Sequence, residues 1–273
     1  MAIPKNLISS SFARKFLGLF RRTRYHENLE SVFFYTLHKC ASTLFSHYLL
    51  EHVEGLRHVD YENEYFSGLR TVKAEFSDKG YIYGPIRVSV RAMEPTFSLF
   101  TKPVSSPDFV EGKKAIFMAR DPRDMLVSSY YSYAYSHPSS PLEEIRDEQE
   151  RIRKRILSKT VDEFVLGMAP HVHRDYQLLI TLTQVCKRRV VLQYEDMVEN
   201  FNDFVRDLTR YLTLRDDVIQ ELYSQSRPRE KEDITAHRRS GRVGGFRDKL
   251  SSETIQSLNE TFRDVMNEFG YAP

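Results

Sequence analysis

The chain has 273 residues, 41% hydrophobic and 29% charged, a composition suited to a soluble globular protein with a sizeable core. A net charge of +2 is too small to carry a nucleic-acid function, so any basic role must come from local clustering. Two cysteines, Cys40 and Cys186, make no disulfide framework and fit a reducing, cytoplasmic setting, and no apolar run reaches membrane-spanning length.

Residues 1–27 mix Phe12, Phe16, Leu17 and Phe20 with Arg14, Lys15, Arg21 and Arg22. They are expected to form a peripheral basic and apolar segment, too interrupted for a signal peptide. An amphipathic helix there would dock on its own domain, with peripheral membrane contact as the alternative. Residues 28–273 are expected to form a single domain.

The stretch 32–50 is the organising unit of that domain. Val32, Phe33, Phe34, Tyr35, Thr36 and Leu37 read as a buried strand. The chain then turns through His38, Lys39, Cys40, Ala41, Ser42 and Thr43 and continues with helical spacing at Leu44, Phe45, Tyr48 and Leu49. Strand, polar turn and helix aim free backbone N–H groups at an anion, with Lys39 adding charge and Ser42 and Thr43 adding hydroxyls. An ordinary βα turn with capping hydroxyls is the other reading of these residues. The ATP-binding form of the loop is excluded, since no glycine occurs from Val32 to Glu54. A cysteine phosphatase loop is disfavoured too, because Ser46 stands where its arginine would be.

Beyond this unit, residues 58–66 are dense in acids and aromatics, and 80–90 read as a second strand. Residues 107–112 look like loop, and 114–120 read as a third strand ending on Arg120. A solvated helix with one apolar seam is expected over 141–159, and another helix over 175–185. Residues 189–196 read as a strand followed by a turn, and 201–212 as a helix. His171 and His173 read as solvent-facing side chains rather than zinc ligands. The stretch 236–247 reads as a mobile surface loop whose Arg238, Arg239, Arg242 and Arg247, without obvious local partners, form a candidate anion clamp. A last amphipathic helix over 251–269 would be capped by Ser251 or Ser252.

Strands alternating with helices predict an α/β fold with a central parallel sheet covered on both faces. Such sheets bind ligands at the carboxyl ends of their strands, where Lys39, Arg120 and Tyr194 all fall.

Taken together, several stretches resemble the sulfotransferases that use 3′-phosphoadenosine 5′-phosphosulfate (PAPS). Residues 38–43 are similar to that family's Pro-Lys-Ser-Gly-Thr-Thr loop, which binds the 5′-phosphosulfate, with Cys40 and Ala41 replacing Ser and Gly. The stretch from Arg120 through Asp121 and Pro122 to Ser128 resembles its 3′-phosphate segment. Arg239, Ser240 and Gly241 resemble the Arg-Lys-Gly that folds over the nucleotide, with Ser240 replacing Lys and Phe246 replacing a Trp. Tyr194, Glu195 and Asp196 look like the Tyr-Glu-Asp turn whose Tyr approaches the adenine.

The resemblance implies a P-loop-NTPase-like three-layer fold with PAPS as co-substrate and no metal. It implies sulfuryl transfer to a hydroxyl of a carbohydrate, lipid or other small molecule, with no nucleic-acid partner. By the same token Lys39, Cys40, Ala41, Ser42, Thr43, Arg120, Ser128, Tyr194, Arg239, Ser240 and Gly241 would line the donor, with Lys39 catalytic. The Lys-Thr-His base segment of the phenol and steroid branch is missing, since residues 80–94 contain no histidine. Glu64, followed by Tyr65 and Phe66, resembles the base of carbohydrate-directed relatives, with Glu62, His58 and His137 as rivals. Tyr81, Tyr83, Tyr131, Tyr133, Tyr135 and His137 could line an acceptor pocket or simply pack. A P-loop-type kinase with a degenerate loop, or a nucleotide-binding module without catalysis, would account for the same loop.

Overall fold

The computed structural model describes residues 25–66, 74–90, 104–136, 143–234 and 239–273. Its centre is β1 (Val32–Thr36), a strand buried at every position. Both faces of β1 are apolar because helices cover both sides of the sheet, the condition a parallel sheet requires. Around it lie β2 (Arg57–Val59), β3 (Tyr81–Arg87), β4 (Lys114–Ala119) and β5 (Arg188–Gln193). They form one five-stranded sheet in the order β2-β3-β1-β4-β5, every pairing parallel. The carboxyl ends of β3, β1, β4 and β5 therefore stand side by side.

Pro85 has no N–H to give a neighbouring strand, yet it lies inside β3 between β2 and β1. The sheet absorbs it with a register irregularity against β1 between Phe33 and Tyr35. Gly84 is needed at that point: a Cβ there would stand 2.5 Å from the Phe34 carbonyl oxygen.

The helices are α1 (Ser42–Tyr48), α2 (Tyr61–Phe66), α3 (Pro107–Val110), α4 (Pro122–Tyr131), α5 (Glu143–Leu157) and α6 (Val161–Val185). They continue as α7 (Tyr194–Glu199), α8 (Phe201–Thr209), α9 (Asp216–Ser226), α10 (Ser252–Thr261) and α11 (Arg263–Phe269). Ring contacts fill the space between layers, with Tyr35 stacked on Phe117 at 5.1 Å and Phe33 on Tyr83 at 5.0 Å.

Several elements differ from the sequence expectation. The helix expected over 175–185 begins at Val161 and runs through Gly167 and Pro170. A capping box between Thr160 and Glu163 starts it, and a buried stripe at Val165, Ala169, Val172, Tyr176 and Leu179 outweighs the lost proline N–H. The last helix is two, broken at the fully buried Phe262, whose ring packs on Tyr176. Ser251 does cap α10, accepting the Thr254 N–H at 3.2 Å. Tyr194, expected in a turn, opens α7. Strand β2 and helices α2 and α9 were not anticipated, and the region read as loop over 107–112 contains the short helix α3, capped by Ser106. Residues 1–24 lie outside the described residues, so the basic N-terminal segment is met only at its end.

Arg123 fixes α4 against the C-terminal segment. It is 1% exposed, pairs with Asp121 through two nitrogens, and donates to Asn259 Oδ1 at 2.7 Å and the Ala272 carbonyl at 2.6 Å. Replacing it leaves the buried Asp121 carboxylate without its counter-ion. Arg123→Met is expected to lower unfolding free energy by about 3–5 kcal/mol in urea denaturation; an unchanged midpoint refutes that role.

Candidate active site

After β1 the chain turns into α1 through an unusual backbone. Lys39 and Ala41 have φ of 62° and 60°, the left-handed region that side-chain-bearing residues seldom enter. Left-handed residues beside helical ones curl backbone N–H groups into an anion-binding concavity. Tertiary contacts hold this shape. Arg120 Nη1 donates to the Lys39 carbonyl at 2.9 Å, and Thr36 Oγ1 donates to the Leu37 carbonyl at 3.2 Å. The Cys40 thiol is buried against Met125 Sδ at 4.0 Å, and burial pushes its pKa up to about 12. Cys40 thus anchors the loop by packing and is no nucleophile.

The Lys39 ammonium donates to Ser132 Oγ at 2.9 Å. Burial, then the neighbouring Arg120 and Arg87, lowers its pKa to about 8. Ser42 is nearly buried, and its hydroxyl accepts from Arg87 Nη2 at 3.4 Å. Thr43 follows in the first turn of α1.

Arg87 is a cation that the motif reading passed over. It ends β3 beside β1, just as Arg120 follows β4 on the other side. Glu62 from α2 grips it twice, accepting the Arg87 backbone N–H at 2.7 Å and a guanidinium bond from Nη1. Burial raises the Glu62 pKa while Arg87 opposes the rise. Burial likewise raises that of Tyr133, again with Arg87 in opposition. The strand expected over 80–90 hid Arg87 in its interior, whereas the observed strand ends on Arg87.

Arg120 is buried with its guanidinium 4.1 Å from the Tyr194 ring centroid, and its carbonyl accepts from the Tyr176 hydroxyl. Its Nε is buried with no hydrogen-bond partner among the described residues. A buried donor left over is costly unless something else takes it, and an anion in the cradle would. Asp121 caps α4, and its own N–H donates to Glu195 Oε1 at 2.9 Å. Burial lifts the Glu195 pKa to about 7. Ser128 lies in α4, half-buried, and its side chain makes no hydrogen bond to another described residue.

The late loop is tied to this frame. The Tyr194 hydroxyl donates to the Gly241 carbonyl at 2.9 Å, and Asp124 of α4 accepts the N–H groups of Gly244 at 2.7 Å and Phe246 at 2.9 Å. Phe246 is buried under Arg123, 4.3 Å from its centroid, and Arg247, at 4.6 Å. Ser240 is buried, its carbonyl accepting from the Arg229 N–H at 2.8 Å. Arg239 pairs with Glu232 and covers the Tyr131 ring at 4.5 Å. Its loop therefore does not lack local partners, contrary to the sequence expectation; Glu232 lies seven residues upstream, where spacing alone does not reveal it. Arg238 lies outside the described residues.

The chain matches the sulfotransferase domain family over residues 29–270. It belongs to that family. No curated protein matches it. Among solved structures it is similar to the mouse sulfotransferase SULT7A1 complexed with PAP, at 14% identity and TM-score 0.53, covering 93% of this chain and 89% of that one. A retinol dehydratase in complex with androsterone and inactive cofactor PAP matches at 16% identity and TM-score 0.44, covering 93% of this chain and 85% of that one.

Within this sulfotransferase, Lys39, Ser42, Arg120, Tyr194, Gly241 and the start of α4 come together at the carboxyl ends of β1, β4 and β5. The Tyr194 ring is covered by Arg120, so it supports that arginine directly. Glu64 lies on α2, with its side chain outside the described residues, and His137 lies outside them altogether. His58 Nε2 lies 2.6 Å from the Gly84 carbonyl. Tyr83 is buried in the core, its hydroxyl accepting the Ser77 N–H at 2.7 Å. His173 pairs with Asp264 at 3.0 Å, and His171 with Arg174.

Because Ala41 bears a Cβ in the left-handed region, glycine there should relieve strain. Ala41→Gly is expected to stabilise the fold by about 1 kcal/mol, measured by denaturant unfolding. A destabilised variant would show that the loop shape is not strained.

Proposed function

We propose that this sulfotransferase transfers a sulfuryl group from PAPS to a hydroxyl of a carbohydrate, lipid or other small molecule. The observation that carries the reading is the convergence of Lys39, Arg87 and Arg120 on the left-handed loop at adjacent strand ends. Family membership supports sulfuryl rather than phosphoryl transfer. The cradle fits the donor: the loop and α1 suit its 5′-phosphosulfate. Arg120 with its unpartnered Nε, together with the Ser128 hydroxyl and Arg239 of the late loop, suits its 3′-phosphate.

In the reaction the acceptor oxygen bonds to sulfur as the bond from sulfur to the 5′-phosphate oxygen breaks, and the acceptor proton passes to a base. Charge gathers on the leaving phosphate, and preorganised donors lower the barrier by meeting it there. Lys39 fills that role, with Ser42, Thr43 and the N–H groups of the loop beside it. Arg87 adds charge at the same place, and Glu62, with both oxygens given to Arg87, orients it. Glu64 is our candidate for the base, and Glu64→Gln would separate transfer from donor affinity.

Transfer of labelled sulfuryl from PAPS to a panel of hydroxyl acceptors tests the reading, with Lys39→Ala as the inactive control. Loss of label from the donor without any labelled product would refute it. Because Arg120 also holds the Lys39 loop, Arg120→Ala is expected to weaken both nucleotides, and adenosine 3′,5′-bisphosphate by about 2–5 kcal/mol more than 5′-AMP in calorimetry. Equal losses for both nucleotides would remove Arg120 from the 3′-phosphate.

Acidity gives a separate check. A lysine with a lowered pKa loses its charge as pH rises past that value, so kcat/KM for the donor should fall above about pH 8, tenfold per unit. Under saturating donor the break should move upwards, because a bound anion favours the charged amine. A profile that stays flat to about pH 9 would free Lys39 from this role.

A further inference from the structure

One ion cluster beside the nucleotide cradle is not accounted for by any motif. Glu232 stands between two cations: Oε1 accepts from Arg239 Nη1, and Oε2 accepts from Lys249 Nζ at 2.9 Å. Both cations lie over one aromatic ring, Tyr131, at 4.5 Å for the Arg239 guanidinium and 5.7 Å for the Lys249 ammonium. Tyr131 follows Ser128 by three residues on α4, so the two share a face of that helix. The late loop that carries Arg239 is held to α4 and α7 by Asp124 and Tyr194, which fixes where the cluster sits relative to Arg120.

The sequence explains why a second cation is wanted there. Ser240 occupies the position next to Arg239 where the resemblance has a lysine, and it is buried with its hydroxyl accepting from the Arg242 N–H. Serine cannot supply charge. Lys249, further along the chain, returns beside Arg239 because the short turn at Gly245–Asp248 folds back over α4.

We propose that Lys249 is a nucleotide-binding residue, that it grips the 3′-phosphate of the donor together with Arg239, and that the Glu232 carboxylate holds the place of that phosphate between the two cations. The inference rests on the proposed function, in which Arg239 serves the 3′-phosphate. A carboxylate of single charge is a natural stand-in for a phosphate. It keeps both cations oriented and paired, and it yields to a dianion that each cation attracts more strongly. Both guanidinium and ammonium keep their ring contact with Tyr131 throughout. Glu232 is thus a competitor built into the chain, and it trades donor affinity for ease of product release.

The test is calorimetry with adenosine 3′,5′-bisphosphate and with 5′-AMP as the probe lacking the 3′-phosphate. Lys249→Ala should weaken the bisphosphate about tenfold or more and leave 5′-AMP unchanged, while Lys249→Arg should restore most of the loss. Glu232→Gln, which removes the competing charge but keeps the shape, should tighten the bisphosphate several-fold, by about 1 kcal/mol converted at tenfold per 1.4 kcal/mol, again without effect on 5′-AMP. Arg239→Ala is the control for the underlying reading. If it abolishes discrimination between the two nucleotides while Lys249→Ala and Glu232→Gln do not move it, the inference fails and the reading stands. If Arg239→Ala and Arg120→Ala both leave discrimination intact, the reading itself fails. Equal weakening of both nucleotides by Lys249→Ala, or weaker bisphosphate binding in Glu232→Gln, also overturns the proposal.

Discussion

Arg120 joins everything that makes the site. Its guanidinium holds the Lys39 carbonyl and so fixes a loop with left-handed residues; its face lies on Tyr194; its own carbonyl takes the Tyr176 hydroxyl from α6. Three parts of the fold meet on one residue: the loop after β1, the start of α7 and the long helix behind the sheet. Burying an arginine is costly unless charge and hydrogen bonds surround it. Here burial opposes the charge, while Tyr194, Asp124 and Glu195 favour it and hold the guanidinium protonated.

Around this centre the electrostatics are deliberately unbalanced. Lys39, Arg87 and Arg120 crowd the loop, and the acid bound most closely to them, Glu62, is spent on Arg87 alone. Burial first, and then that crowding, lowers the pKa of Lys39. Like charges held together in a partly dry site raise the energy of the empty protein, and a multiply charged anion relieves it on binding. Strain at functional sites takes the same form in the backbone, where Ala41 keeps a conformation that glycine would hold more easily.

The late loop is attached differently from the rest. The strands and long helices are held by apolar burial. This loop is held by polar bonds at its ends, from Asp124, Tyr194 and Glu232, with Phe246 as its buried anchor. The bonds to Asp124 and Tyr194 end on α4 and α7, the two helices that start beside Arg120.

What the sequence determined by itself was the layout of chemistry along the chain. Short buried strands followed by polar turns announced a parallel sheet, and the turns at Lys39, Arg120 and Tyr194 could be read as strand ends because periodicity and charge change there together. The motifs around Ser128 and Arg239 were legible for the same reason: their meaning lies within a dozen residues. Helix α6 was half-missed, because Pro170 and Gly167 are local breaking signals that long-range burial overrides. Only the tertiary structure decided which strand ends are neighbours. The order β3-β1-β4 places Arg87 beside Lys39 and gives it to Glu62, and the fold-back of the late loop sets Lys249 and Glu232 with Arg239 over Tyr131. Those pairings depend on crossover connections and on charge satisfied across the sheet, and no local spacing in the sequence records them.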